Sequence, residues 1–203
     1  MFRAMELYSF MNYCEDSSLE KVVLDCGAGF RSDLEPLLLR FHQRGYRVHG
    51  IELSPERVAN AEAYRREHGI NLNIQQGDLR ALPFADESMS FVYSWNTIFH
   101  MTKADMAHAV AEIERVLRPE GLCFVNFLSV EDGACGEGTP IGPGEFWQDE
   151  RGEQVIHAYL EDNEADAYFA QCRVLEKVKR VHEWATDDGP YRGAIIDYYV
   201  QKA

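Results

Sequence analysis

Two features of the chain have the composition and spacing of a nucleotide-handling site. The run Asp25-Cys26-Gly27-Ala28-Gly29 closes a short apolar stretch, Val22-Val23-Leu24. Small residues at such a turn let a ligand approach the backbone, and the free N–H groups opening a following helix are donors for a carboxylate or phosphate. A bare Gly-x-Gly serves equally as a tight structural turn. The second feature is Glu52, 23 residues past Gly29 at the end of another apolar run. This is close to the interval of about 20 at which nucleotide folds place the acid that accepts the two ribose hydroxyls.

Both features require a strand feeding a glycine turn and then a helix, and the flanking sequence supplies them. Lys21 to Cys26 holds a short apolar, β-branched run, Val22-Val23-Leu24, the pattern of a strand buried on both faces of a parallel sheet. Ser32 and Glu35 are spaced as a capping box, and Leu34, Leu37, Leu38 and Phe41 recur with helical period. Gly45 ends that helix, and Tyr46 to Ile51 reads as a second strand. Ser54-Pro55 opens a second helix that runs to about His68 and stops at Gly69. Leu72–Gln76 and Phe91–Ser94 read as the third and fourth strands. Met106, Ala109, Val110, Ile113, Val116 and Leu117 mark another helix, and Leu122–Leu128 a fifth strand. The alternation predicts an α/β fold, doubly wound around a mostly parallel sheet.

Beyond Glu131 the character changes. The stretch to Gly152 is rich in glycine, proline and acids, too long for an ordinary connection, and residues 131–160 read as a mobile lid or substrate loop. A short helix is expected over Asp162–Ala170. Val174–Trp184 and Tyr191–Val200, joined by Asp187-Asp188-Gly189-Pro190, predict a closing antiparallel hairpin. Residues 1–203 read as one domain, with residues 1–20 a helical lead-in.

Taken in order, Val22-Val23-Leu24-Asp25-Cys26-Gly27-Ala28-Gly29, Gly50-Ile51-Glu52-Leu53-Ser54, Gly77-Asp78-Leu79 with Leu82-Pro83-Phe84, and Arg115-Val116-Leu117-Arg118-Pro119-Glu120-Gly121 resemble the class I S-adenosylmethionine-dependent methyltransferases. The resemblance covers roughly residues 20 to 130 and implies a Rossmann-like, seven-stranded sheet of order 3-2-1-4-5-7-6. It also implies S-adenosylmethionine as cofactor and S-adenosylhomocysteine as product. Asp25, Gly27 and Gly29 would line the methionine and ribose portion, and Glu52 would hold the ribose hydroxyls. Leu53 would pack on adenine, Asp78 would accept from its amino group with Leu79 alongside, and Ser94 would lie near the methionine moiety. Two positions depart from the family pattern: Arg31 stands where a third glycine is usual, and Met89-Ser90 replaces the common Phe-Asp.

Methyl transfer is an in-line displacement whose electrophile comes with the cofactor, so the protein must position a nucleophile and, for some acceptors, remove a proton. The resemblance places Ser94-Trp95-Asn96-Thr97-Ile98-Phe99-His100 beside the acceptor. His100 is the candidate general base, Trp95 and Asn96 candidate pocket residues, and His157 and Tyr159 candidates to close over the acceptor. Ser94-Trp95-Asn96-Thr97 lacks the prolines and aromatic of the adenine-amino methyltransferase motif.

The net charge of -14, from 34 acidic against 20 basic residues, opposes a phosphate backbone or an anionic membrane, so a small-molecule acceptor is expected. The five cysteines show no CxxC pair and no Cys/His metal spacing, which predicts no metal site and fits a reducing cytoplasm. Residues 1–20 lack the layout of a signal peptide, and no apolar run approaches the ~18 residues of a membrane span. The alternatives are a catalytically silent methyltransferase-like binding module and an NAD-dependent oxidoreductase. Against the latter, Ser32 occupies the last position of Gly-x-Gly-x-x-Gly.

Overall fold

The structure is a computed structural model that describes residues 5–29, 35–150, 152–186 and 189–203. Arg31, Ser32 and Leu34, and with them the predicted capping box, lie outside the described residues, as do Asp187 and Asp188 of the hairpin turn.

Five parallel strands form the frame: β1 Val22–Cys26, β2 Arg47–Glu52, β3 Ile74–Gln76, β4 Met89–Ser94 and β5 Leu117–Ser129, in the order β3-β2-β1-β4-β5. Every residue of β1 and β4 is buried, as a strand covered on both faces requires. Alternate side chains serve two cores. Val22 and Leu24 pack with α4, Lys103–Val116, through its predicted stripe Met106, Ala109, Val110, Ile113 and Val116. Val23 packs on the other face with α1, Met5–Asp16, and α2, Leu38–His42, where Phe10 meets Phe41, Tyr93 and Phe124 at 6.0–6.4 Å between ring centres. Between β2 and β3 runs α3, Pro55–His68, capped by the Ser54 hydroxyl and ended by Gly69 at φ 69°, as its sequence signals indicate. It buries no residue fully.

The last strands, β9 Cys172–Thr186 and β10 Gly189–Lys202, form a long antiparallel hairpin, with β10 against β5 and β9 outermost. This is the expected 3-2-1-4-5-7-6 order, with β10 in the place of the seventh strand and β9 in that of the sixth. The outer strand carries Lys177, Lys179 and Arg180, charges that discourage pairing with a further chain. Arg180 is paired to the buried Asp197 of β10.

Two boundaries differ from expectation. The helix predicted from Ser32 to Phe41 is helical only from Leu38 among its described residues. The fifth strand starts at Leu117 because Leu117 pairs with Met89, and the register shift before Phe91 absorbs Arg118–Gly121.

The larger difference is the stretch read as a mobile loop. It folds as an antiparallel meander: β6 Thr139–Gly142, β7 Glu145–Glu150 and β8 Glu153–Leu160. Most of its glycines are turn residues. Gly136, Gly138, Gly144 and Gly152 all have positive φ, so the glycine content that suggested irregularity makes tight reversals between strands. Leu128 of β5 pairs with Ile195 of β10 on one edge and with Tyr159 of β8 on the other. The meander therefore continues the sheet where β4 has ended at Ser94, at the carboxyl ends of the parallel strands. Among the described residues no helix is long and apolar enough to cross a membrane.

Candidate active site

At the carboxyl end of β2, Glu52 is 5% exposed and both of its oxygens are engaged by backbone donors, Gly29 N–H and Ser54 N–H, each at 2.8 Å. A carboxylate offers about four acceptor positions, so two remain for hydroxyl donors. Gly29 has no space for a side chain: a Cβ there would lie 2.1 Å from Glu52 Oε2 and 2.8 Å from Arg57 Cβ. Gly27 has φ +101°, and a Cβ would fall 2.2 Å from Thr97 Oγ1. Beside Glu52, Leu53 is 62% exposed, an apolar side chain with no protein to cover it. The Ser94 hydroxyl is buried and finds no hydrogen-bond partner among the described residues. A hydroxyl-binding carboxylate, a glycine cradle, an exposed apolar platform and an unsatisfied hydroxyl are a donor and acceptor set that suits an adenosyl cofactor.

Four of the residues expected here are engaged by the protein itself. Asp25 is buried, and its carboxylate accepts the Tyr93 hydroxyl at 2.7 Å. Burial first, and the nearby Glu52 charge in addition, raise its pKa to about 7, while the Tyr93 hydrogen bond opposes them. Asp25 is the residue before the last of a strand covered on both faces, and Tyr93 holds its carboxylate within the fold. Leu79 packs in the α4-side core with Leu82 and Phe99 instead of lying open beside an adenine. Asp78 is claimed by Arg80: Oδ1 accepts Arg80 N–H at 2.9 Å and Nε at 3.0 Å, and Oδ2 accepts Nη2 at 2.6 Å. Trp95 does not line the neighbouring cleft. Its Nε1 donates to Glu6, and its ring packs against the α1-side core.

The second half of the site is a cleft of about 660 Å³ between the ends of β4 and β5, the meander and β10. Asn96, His100, His157 and Tyr159 line it, as do Asp132, Gln148, Glu150 and Tyr191, which sequence reasoning did not single out. Asn96, at φ +52°, is pinned by Asn126 through two 2.7 Å hydrogen bonds, its N–H to Asn126 Oδ1 and Asn126 Nδ2 to its own Oδ1. An asparagine inside the apolar run Leu122–Leu128 was the available signal for that contact. Asp132 accepts Tyr191 O–H at 2.7 Å and Ala194 N–H at 2.9 Å. Tyr159 donates to Gln148 Oε1 at 2.8 Å.

The two halves adjoin. Gly27 sits against Thr97, whose neighbour Asn96 lines the cleft, and Arg57, close over Gly29, lies near enough to His100 to oppose its protonation. His100 stands exposed at the rim of the cleft, its ring centre 4.7 Å from those of Phe99 and His157, and its pKa is pushed down to about 4 by desolvation first and by His157 next. Burial lowers His157 also, against the pull of Glu150. His100 is neutral at pH 7. Glu150 stands with these two histidines although no metal-ligand spacing marks the three in the sequence.

Residues 23–121 match the methyltransferase-domain family. The chain is 27% identical over 135 residues to a malonyl-[acyl-carrier protein] O-methyltransferase of Serratia marcescens, covering 66% of this chain and 46% of that protein. It is 31% identical over 120 residues to an uncharacterized methyltransferase of Bacillus subtilis, covering 58% and 45%. The chain thus spans less than half the length of both relatives. The crystal structure of a SAM-dependent methyltransferase from Methanosarcina mazei superimposes with a TM-score of 0.74 at 20% identity, over 94% of this chain and 96% of that one. In matched domain, strand order and the glycine–acid cradle, the chain is similar to the class I methyltransferases, whose cofactor is S-adenosylmethionine.

Proposed function

We propose that this protein transfers a methyl group from S-adenosylmethionine to a small-molecule acceptor held in the cleft between β4, β5 and the meander. The observation that carries the proposal is the nearness of that cleft to the cradle: Gly27 lies against Thr97, whose neighbour Asn96 lines the cleft. Bound S-adenosylmethionine supplies a sulfonium-activated methyl carbon, and the protein's part is alignment and proton management. Glu52 would hold the ribose hydroxyls and Leu53 would cover the adenine. Asn96, locked by Asn126, would fix the approach of the acceptor. His100, neutral at pH 7, presents an imidazole lone pair that can take a proton from an acceptor X–H group.

The acceptor is polar and uncharged or cationic on this reading. The cleft carries Asp132, Glu137, Asp149 and Glu150, and a chain of net charge -14 repels nucleic acid. All five cysteines are free, which suits a reducing compartment such as the cytoplasm.

Calorimetric titration with S-adenosylmethionine and S-adenosylhomocysteine tests the cofactor half. Release of S-adenosylhomocysteine against a panel of small polar acceptors tests the other. Binding of both compounds with acceptor-dependent release is the expected result. Binding without release for any acceptor would favour the silent module, and binding of NAD alone would overturn the proposal.

A further inference from the structure

We propose that His100, Glu150 and His157 form a binding site for a divalent transition-metal ion of the zinc type, open to the cleft. The three come from separate places: His100 from the loop after β4, Glu150 from the end of β7 and His157 from β8. Two backbone features bring them together. Ala158 N–H donates to Phe99 O at 3.0 Å, which places His157 next to His100. The β7–β8 register pairs Phe146 with His157 and Glu150 with Glu153, so Glu150 and His157 project from the same face of the hairpin.

One ligand atom from each of the three lies within 4.8 Å of the other two, and His157 Nε2 is 3.7 Å from Glu150 Oε2. Tetrahedral zinc with bonds of about 2.0–2.2 Å needs donors roughly 3.3–3.5 Å apart. The site must therefore contract by up to about 1.4 Å, and the exposed side chains of His100 and Glu150 have the freedom to do so. Two imidazoles with one carboxylate are the N,N,O set of catalytic zinc sites, which leave a coordination position for water or substrate. Asp132, Glu137 and Asp149 in the same cleft add negative charge that attracts a cation.

The site does not depend on the methyl-transfer reading, because occupancy is measured without cofactor. It does change what His100 does: with an ion bound, its lone pair is committed to coordination, and proton removal would act on an acceptor atom attached to the ion.

Chelator-treated protein is titrated with Co2+, followed by visible absorption, and with Zn2+ by calorimetry. The expected result is one ion per chain, with at least about tenfold weaker binding in His100→Ala and in His157→Ala, a smaller loss in Glu150→Gln, and no change in His108→Ala on the exposed face of α4. Circular dichroism checks folding. If His157→Ala unfolds, the exposed His100 and Glu150 variants decide. No saturable binding to the wild type, or binding unchanged by the His100→Ala and Glu150→Gln substitutions together, overturns the proposal.

Discussion

The two ends of the site are built differently. At the cradle, the functional groups are welded to the backbone: Glu52 is buried and holds the amides of Gly29 and Ser54, and both glycines are filled against their neighbours. At the cleft, His100, Glu150 and His157 stand on a loop and a β-meander, partly open to solvent and attached mainly through their own strands. A group welded to the fold cannot be changed without unsettling the fold. A group standing on a rim can be changed at a cost to chemistry alone.

The sharpest way to break this comparison is Glu52→Ala. It leaves two N–H groups without their acceptor, at about 1–3 kcal/mol each when buried. A loss of roughly 3 kcal/mol, or about 6–12 °C in Tm for a chain of this size, is expected in thermal unfolding. Affinity for S-adenosylhomocysteine should fall about 100-fold in calorimetry. Unchanged stability with lost affinity would show that Glu52 only touches ligand.

His100→Ala is the counterpart at the cleft. Stability should stay within about 0.5 kcal/mol and cofactor affinity should hold, while kcat falls about 100-fold, the lower end for a general base and apt for one of low basicity. Should cofactor affinity fall as far as in Glu52→Ala, the two ends would be one unit.

The same contrast decides what could be read from the sequence. The cradle was legible because its parts are contiguous: Gly27-Ala28-Gly29 and Glu52-Leu53 each sit at a strand end whose apolar run announces it. The α4 stripe and the reversed β9–β10 pair were legible through periodicity. The cleft was not. Glu150 and His157 meet His100 only through a strand pairing, and the glycines that make that pairing possible look like a loop when turns cannot be told from irregularity. The partners of Asp25 and Trp95 were hidden for a related reason. Motif position gives the strand end but not the direction a side chain takes, and the partners that claim these two, Tyr93 and Glu6, are 68 and 89 residues away.

The pH profile gives a further, smaller test of the welded end. Asp25 has an ordinary carboxyl pKa when unfolded and one of about 7 when folded. The folded state binds the proton more tightly, so the contribution is full below about pH 4, is lost as pH rises to about 7, and is flat beyond. The slope is at most about 1.4 kcal/mol per pH unit. Asp25→Asn keeps an acceptor for Tyr93 and removes the titration. Its stability relative to wild type, from denaturant unfolding, should improve between pH 5 and pH 8. A constant difference would mean that Asp25 is ionised throughout.

The smallest effects separate ligand contacts from frame within the cradle itself. Leu53→Ala removes an exposed side chain, so stability should move by less than about 0.5 kcal/mol. If an adenine ring covers Leu53, affinity should drop about fivefold, near 1 kcal/mol of apolar contact. Arg80→Ala tests Asp78 in the opposite direction. With N, Nε and Nη2 of Arg80 on its oxygens, Asp78 has little acceptor capacity left for an adenine amino group until Arg80 lets go. Releasing it should leave cofactor affinity unchanged or raise it up to about threefold, whereas Asp78→Ala should lower it. If Arg80→Ala weakens binding more than Leu53→Ala does, the guanidinium rather than the carboxylate is the group that meets the cofactor, and Asp78 belongs to the frame.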